Sequence, residues 1–130
     1  MSINFSKILS EVLSKHSRFC FLLGSADTER FREDSDVDVA IFWNDGTNEE
    51  IKKSCLQKLE DIFNRDVDLV SLNNTDDIFA RQVLENGRLI FNNSDGFLLQ
   101  WKVSQMSKYP DFKFSREIIE NQILNRKKYV

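Results

Sequence analysis

One stretch of the sequence, residues 19–42, constrains the fold more than any other. It contains an apolar run that ends at Gly24-Ser25, a polar insert, and a second apolar run that begins with Asp36-Val37-Asp38. Short apolar runs bounded by turn residues are typical of buried strands. The stretch therefore predicts a strand, a tight turn, and a second strand that carries two carboxylates.

The two acids share one face of the second strand, because side chains alternate along a strand with a period of two. Their backbone positions are about 7 Å apart by the rise of a strand. Asp68 lies near the start of a third apolar run, and it would complete a cluster of three carboxylates if the two strands are neighbours.

Such a cluster repels itself unless a cation neutralises it, and Mg²⁺ prefers oxygen ligands. Asp36, Asp38 and Asp68 are therefore the predicted metal ligands. Two Mg²⁺ ions there would support in-line attack on phosphorus, with pyrophosphate leaving.

The Gly24-Ser25 turn is the predicted phosphate site. Glycine allows the backbone to approach an anion closely, and the first amides of a following helix, over residues 26–32, would point at it together with the Ser25 hydroxyl. Arg30 or Arg32 could neutralise phosphate charge.

The rest of the pattern predicts strands alternating with helices. Strands are expected at 18–23, 36–43, 66–72 and 88–91, and helices at 4–16, 26–32, 49–63, 77–86, 94–107 and from Pro110 to about residue 128. This order favours an α/β fold, a small mixed sheet flanked by helices with a C-terminal helix pair over about 94–128. The expectation is a single domain, 1–130, with a catalytic core over about 17–92.

Finer features of these elements are also predicted. Ile62 and Ile78 are placed in the buried stripes of their helices, Gly87 is expected to end helix 77–86 as a C′ glycine, and 73–75 form a turn. The buried core is expected to include Trp43 and Trp101.

Composition excludes several classes of protein. A net charge of −3 argues against a nucleic-acid-binding domain, which is normally basic. The two cysteines, Cys20 and Cys55, are too few for a disulfide framework or a zinc site, and they read as buried thiols in a reducing compartment. With no apolar run of membrane length, a soluble, cytoplasmic protein without a membrane partner is expected.

Gly24-Ser25, ten intervening residues and Asp36-Val37-Asp38 together resemble the pattern of the DNA polymerase β type nucleotidyltransferase superfamily. Asp68 resembles its third carboxylate. Residues 78–91 resemble the helix and strand that follow in minimal nucleotidyltransferases, the MntA-type antitoxins encoded beside HEPN-domain ribonuclease toxins. The resemblance implies Mg²⁺-dependent transfer of AMP from ATP to a tyrosine of the toxin. It also implies that the toxin is the partner. The chain would form either a hetero-oligomer with the toxin or a homo-oligomer.

Two alternatives stay open from the sequence. The same chemistry could transfer a nucleotide to a small molecule such as an aminoglycoside, although enzymes of that kind usually carry a larger second domain. An antitoxin could also neutralise its toxin by occlusion alone. Thr28-Glu29 favours this second alternative, because members of the superfamily often have Arg-Gly at that place, and an acid there opposes anion binding.

Overall fold

Local sequence signals place most of the helix ends. The computed structural model describes residues 4–24 and 36–108. The side chains of Asn4, Asn48 and Asp76 accept hydrogen bonds from the backbone amides of Lys7, Ile51 and Phe79 and so cap three helices. The elements follow in the order α1 Phe5–Leu13, β1 Ser17–Leu23, β2 Val37–Trp43, α2 Glu49–Phe63, β3 Val67–Ser71, α3 Asp77–Asn86, β4 Arg88–Asn92 and α4 Phe97–Met106. The helices expected at 26–32 and after Pro110 lie outside the described residues.

The four strands form one mixed sheet in the order β3-β2-β1-β4. Strand β1 pairs antiparallel with β2 and with β4, whereas β2 and β3 are parallel. The expected α/β class with a small mixed sheet flanked by helices is confirmed.

Helices α1 and α2 pack on one face of this sheet. Their inward residues join alternate residues of β2 in a single buried cluster, which includes Leu9, Leu59, Val37, Val39 and Ile41. Burying such side chains is the main favourable term in folding.

Other expected core residues are buried as well. Trp43, Cys20 and Cys55 belong to the same cluster, and Trp101 is buried on α4. Burial raises the pKa of the Cys20 thiol to about 12, and both cysteines are free, as expected of buried thiols.

Two isoleucines expected in the core are exposed. Ile62 is 51% exposed because its neighbour Phe63 takes the inward position and packs on Phe5, with ring centroids 4.9 Å apart. Ile78 is 71% exposed because α3 buries Ala80 and Val83, and two residues along a helix turn the side chain to the opposite side.

Gly87 ends α3, but not as the left-handed C′ glycine that was expected. Its φ of −79° and ψ of 145° are extended backbone that any residue adopts. Crowding explains the glycine instead, because an added Cβ would lie 2.6 Å from the Val83 carbonyl oxygen and 3.2 Å from both Leu23 Cδ2 and Phe21 Cβ.

By contact density the chain divides into two compact units, Met1–Ser94 and Asp95–Val130. The first contains the whole sheet and helices α1, α2 and α3. In the second, α4 buries Leu98, Trp101 and Met106. Among the described helices, none has the length and apolar character needed to cross a bilayer.

Candidate active site

Strand register brings two of the predicted acids side by side. Asp38 of β2 and Asp68 of β3 are direct partners in the parallel pair. Neighbouring strands lie about 4.8 Å apart, and paired residues of a parallel ladder point to the same face. Asp36, immediately before β2, is two residues from Asp38 and so belongs to that face as well.

The face that carries the acids is opposite the α1–α2 core. Val37 and Val39, on either side of Asp38, are fully buried in that core, whereas all three acids are exposed. The alternation of β2 predicted from the sequence is therefore confirmed.

The three carboxylates affect one another electrostatically. The pKa of Asp38 is raised above its ordinary value by partial desolvation and then by the negative charges of Asp68 and Asp36, in that order. The ionised form of Asp38 is therefore less favourable than that of a free aspartate, and a nearby positive charge would relieve this.

The predicted phosphate turn begins next to the acids. Leu23, the last residue of β1, is the partner of Asp38, and Gly24 follows it with a φ of +72°. That left-handed conformation is strained for other residues, and an added Cβ would otherwise meet open space. Gly24 is thus required by the turn geometry itself. Ser25, Arg30, Arg32 and Thr28-Glu29 lie outside the described residues.

The chemical type of the three acidic side chains suits a hard cation. Within residues 4–24 and 36–108, no three His, Cys, Asp or Glu side chains are grouped closely enough to hold a metal ion. The three acids nevertheless offer only oxygen donors, they repel one another, and they are open to solvent. These are the properties that suit Mg²⁺, which keeps several of its waters when it binds carboxylates.

Two cavities lie away from the acids. One of about 400 Å³ lies between α1 and α2 and has Lys15, His16, Ser54, Cys55 and Lys58 among its lining residues. The other, of about 280 Å³, is lined by residues that include Trp43, Lys52 and Leu69. None of the three acids lines either cavity, and we place the candidate site at the acids because their charges and register converge there.

One residue that holds the β2–β3 pair together at the end away from the acids was not singled out from the sequence. Asn73 was expected only as part of a turn, yet its side chain bonds to both backbone groups of Trp43. No local pattern could have indicated this contact, because the two residues are thirty positions apart.

The fold and its acidic strand ends define a class of protein, the α/β nucleotidyltransferase-like domains. Residues 7–96 match the family model described as Polymerase beta, Nucleotidyltransferase, and the chain belongs to this family. It is thus a nucleotidyltransferase by family. No sequence among curated proteins matches it.

Solved structures share the fold over most of their length. A chain of a toxin–antitoxin complex crystallised with AMP-PNP is 23% identical, with a TM-score of 0.67 and coverage of 94% of this chain and 99% of that one. A chain from the complex of the tri-AMPylated Shewanella oneidensis HEPN toxin with its MNT antitoxin is 21% identical, with a TM-score of 0.62 and coverage of 92% and 95%. At these identities the similarity establishes the fold.

Proposed function

We propose that this chain transfers AMP from ATP to a tyrosine hydroxyl of a cognate HEPN-family toxin and thereby silences it. The observation that carries the proposal is the pairing of Asp38 with Asp68, which aligns carboxylates from two strands beside the turn at Gly24.

Family membership supports the reaction class, and the structural neighbours support the substrates. One neighbour was crystallised with AMP-PNP, an analogue of ATP, and another contains a toxin that carries AMP groups. Both are toxin–antitoxin complexes. For this chain we therefore propose a toxin as the acceptor of AMP and as the partner in a hetero-oligomer.

In this proposal Asp36, Asp38 and Asp68 are the residues that would hold Mg²⁺. When bound, the ion neutralises charge on the triphosphate and on the leaving pyrophosphate. Asp68 also accepts the proton of the tyrosine hydroxyl. The tyrosine oxygen then forms a bond to the α-phosphorus of ATP, and the bond from that phosphorus to the bridging oxygen of pyrophosphate breaks.

The triphosphate is held by the segment that follows β1. Gly24 turns the chain next to Asp38, and we assign the Ser25 hydroxyl and nearby amides as hydrogen-bond donors to phosphate and Arg30 as the source of positive charge. The reaction takes place in the cytoplasm, where ATP is abundant and the buried thiols Cys20 and Cys55 stay reduced.

Intact-mass spectrometry of the toxin tests the proposal. Incubation of the toxin with this protein, ATP and Mg²⁺ is expected to add one or more AMP units, and removal of the metal with a chelator is expected to prevent this. The double variant Asp36→Asn with Asp38→Asn should add none, whereas Glu11→Gln, an exposed acid on α1, should behave as wild type. An unmodified toxin with the wild-type protein would show that the proposal is wrong.

A second candidate function is neutralisation by binding alone. Thr28-Glu29 favours it, because an acid beside the phosphate turn opposes ATP binding. Protection from the toxin by a variant that transfers no AMP would distinguish this function from the enzymatic one.

A further inference from the structure

The side chain of Asn73 forms a two-point clamp on the end of β2. The Trp43 amide donates to Asn73 Oδ1 at 2.8 Å, and Asn73 Nδ2 donates to the Trp43 carbonyl oxygen at 3.0 Å. Ser71 holds the clamp in place, since its hydroxyl donates to Asn73 Oδ1 at 3.1 Å and accepts from the Asn73 amide at 3.2 Å.

The clamp continues the parallel ladder beyond its last backbone bond. On the β3 side of β2, the Val37 amide donates to the Asp66 carbonyl oxygen, and the Ile41 carbonyl oxygen accepts from the Leu72 amide. Trp43 is two residues beyond Ile41, so its backbone amide and carbonyl also point toward β3. In a regular ladder they would bond to the β3 backbone. The carboxamide of Asn73 replaces that backbone pair with one acceptor and one donor.

The sequences of the two strands leave their register ambiguous. Strand β2 begins in the run Asp36-Val37-Asp38-Val39, and β3 begins in the similar run Asp66-Val67-Asp68-Leu69. A slip by one residue would turn buried side chains to solvent and is resisted by the hydrophobic pattern. A slip by two residues keeps every side chain on its own face.

The slipped arrangement would still pair apolar residues at two positions of the core face. It would pair Val39 with Val67 and Ile41 with Leu69, in place of the observed partners Leu69 and Ser71. Asp38 would then face Asp66 instead of Asp68. The alternation of apolar and polar residues alone does not distinguish the two registers, whereas the clamp does, because it bonds to one residue of β2 only.

We propose that Asn73 is a positioning residue that fixes Asp68, and not Asp66, opposite Asp38. Its importance for AMP transfer rests on the proposed function, but the register itself does not.

Nuclear magnetic resonance tests the register without any reaction. In the wild-type chain, cross-strand nuclear Overhauser contacts are expected between Asp38 and the backbone around Asp68. In Asn73→Ala, a second set of contacts from Asp38 to the Asp66 region is expected.

Glu60→Ala is the matched control: it removes the bond from the Val67 amide to Glu60 Oε2, at 3.3 Å, which anchors β3 without touching β2. The register of this control should stay unchanged. A single, native register in Asn73→Ala would overturn the proposal.

AMP transfer supplies a second readout that simple destabilisation would not change. In the wild-type background, Asp68→Asn should lower activity by at least about a hundredfold and Asp66→Asn by less than about threefold. The Asn73→Ala variant should itself be about 10–100-fold less active than the wild-type protein. In that background, the effects of Asp68→Asn and Asp66→Asn on activity should differ by no more than about tenfold. Unchanged dependence on Asp68 alone would contradict the assignment. If the wild-type protein transfers no AMP, the proposed function fails while the resonance experiment still decides the register.

Asn73→Asp covers the case in which the alanine variant does not fold. Its carboxylate still accepts from the Trp43 amide but cannot donate to the Trp43 carbonyl. The second set of contacts should appear at neutral pH and diminish when the carboxyl is protonated and can donate again. A native register at both pH values would overturn the proposal.

Discussion

At the scale of single residues, Asp38 is the group whose surroundings oppose its ionised form most clearly. Desolvation acts first and the charges of Asp68 and Asp36 add to it. Since the pKa is higher in the folded chain than in the unfolded one, folding is disfavoured by this group wherever it is ionised. The site therefore carries a stability cost that a cation would relieve.

Asp38→Asn is expected to stabilise the protein at neutral pH. The penalty is absent below the unfolded pKa of about 3.8 and complete above the raised folded pKa. We expect a gain of about 0.5 kcal/mol at pH 7, a small figure because Asp38 is exposed and its interactions are screened. The gain should vanish near pH 3, where the wild-type carboxyl is protonated. Urea unfolding at both pH values measures it.

Glu11→Gln is the control for this experiment, because Glu11 is an exposed acid on α1, in the layer opposite the acids. It should change the free energy of unfolding little at either pH. A loss of stability in Asp38→Asn at pH 7 would mean that the carboxylate makes a favourable contact that outweighs the repulsion.

At the scale of secondary-structure elements, two glycines are required for different reasons, Gly46 in the loop between β2 and α2 and Gly87 at the end of α3. Gly46 has a φ of +83° and open space around its missing Cβ. Gly87 has ordinary backbone but is pressed against β1 and the last turn of its own helix.

Gly87→Ala is therefore expected to destabilise the fold by overpacking, by about 1–3 kcal/mol. Gly46→Ala should cost about 1 kcal/mol through backbone strain alone. Asparagine separates the causes, since it tolerates left-handed backbone better than alanine does. Gly46→Asn should recover part of the loss, whereas Gly87→Asn should be no better than Gly87→Ala. Thermal unfolding of the four variants measures this, and recovery in Gly87→Asn would argue against crowding.

Element types and most boundaries could be predicted from the sequence because capping residues, periodicity and turn residues act locally. Helix α2 begins and ends as expected, since Asn48 caps it and Asn64 adopts a φ of 54° after it. The exposure of Ile62 and Ile78 could not be predicted, because the apolar stripe of each helix allows two adjacent facings and only the packed sheet chooses between them.

At the scale of the whole molecule, the sheet separates a packed layer from the acids of the candidate site. Its α1–α2 face is buried, whereas Asp36, Asp38 and Asp68 lie exposed where β2 and β3 begin. The sequence predicted which acids share a face of β2. Their meeting with Asp68 depends on strand order and register, which are long-range pairings that local patterns do not determine.

Because the acids lie outside the core, their charges can be removed without unfolding the protein, which allows a test of the proposed chemistry. The double variant Asp36→Asn with Asp38→Asn should fold, and under the proposed function both it and the wild-type protein should elute with the toxin in size-exclusion chromatography. Its rate of AMP transfer should fall by at least about a hundredfold, as expected when preorganised charges are removed from a phosphoryl-transfer site. Cells that express the toxin should therefore lose protection although the complex still forms.

Protection by the double variant equal to that by the wild-type protein would instead favour neutralisation by binding, the function that Thr28-Glu29 suggests. Glu11→Gln should protect fully, which controls for expression and for a change of one surface charge.

Restoring Arg-Gly at positions 28 and 29 distinguishes the two functions further. If the chain acts as an enzyme weakened by this departure, Thr28→Arg with Glu29→Gly should increase AMP transfer, because it exchanges an acid for a base beside the phosphate turn. If the chain acts by binding alone, the exchange should leave protection unchanged and produce no modified toxin.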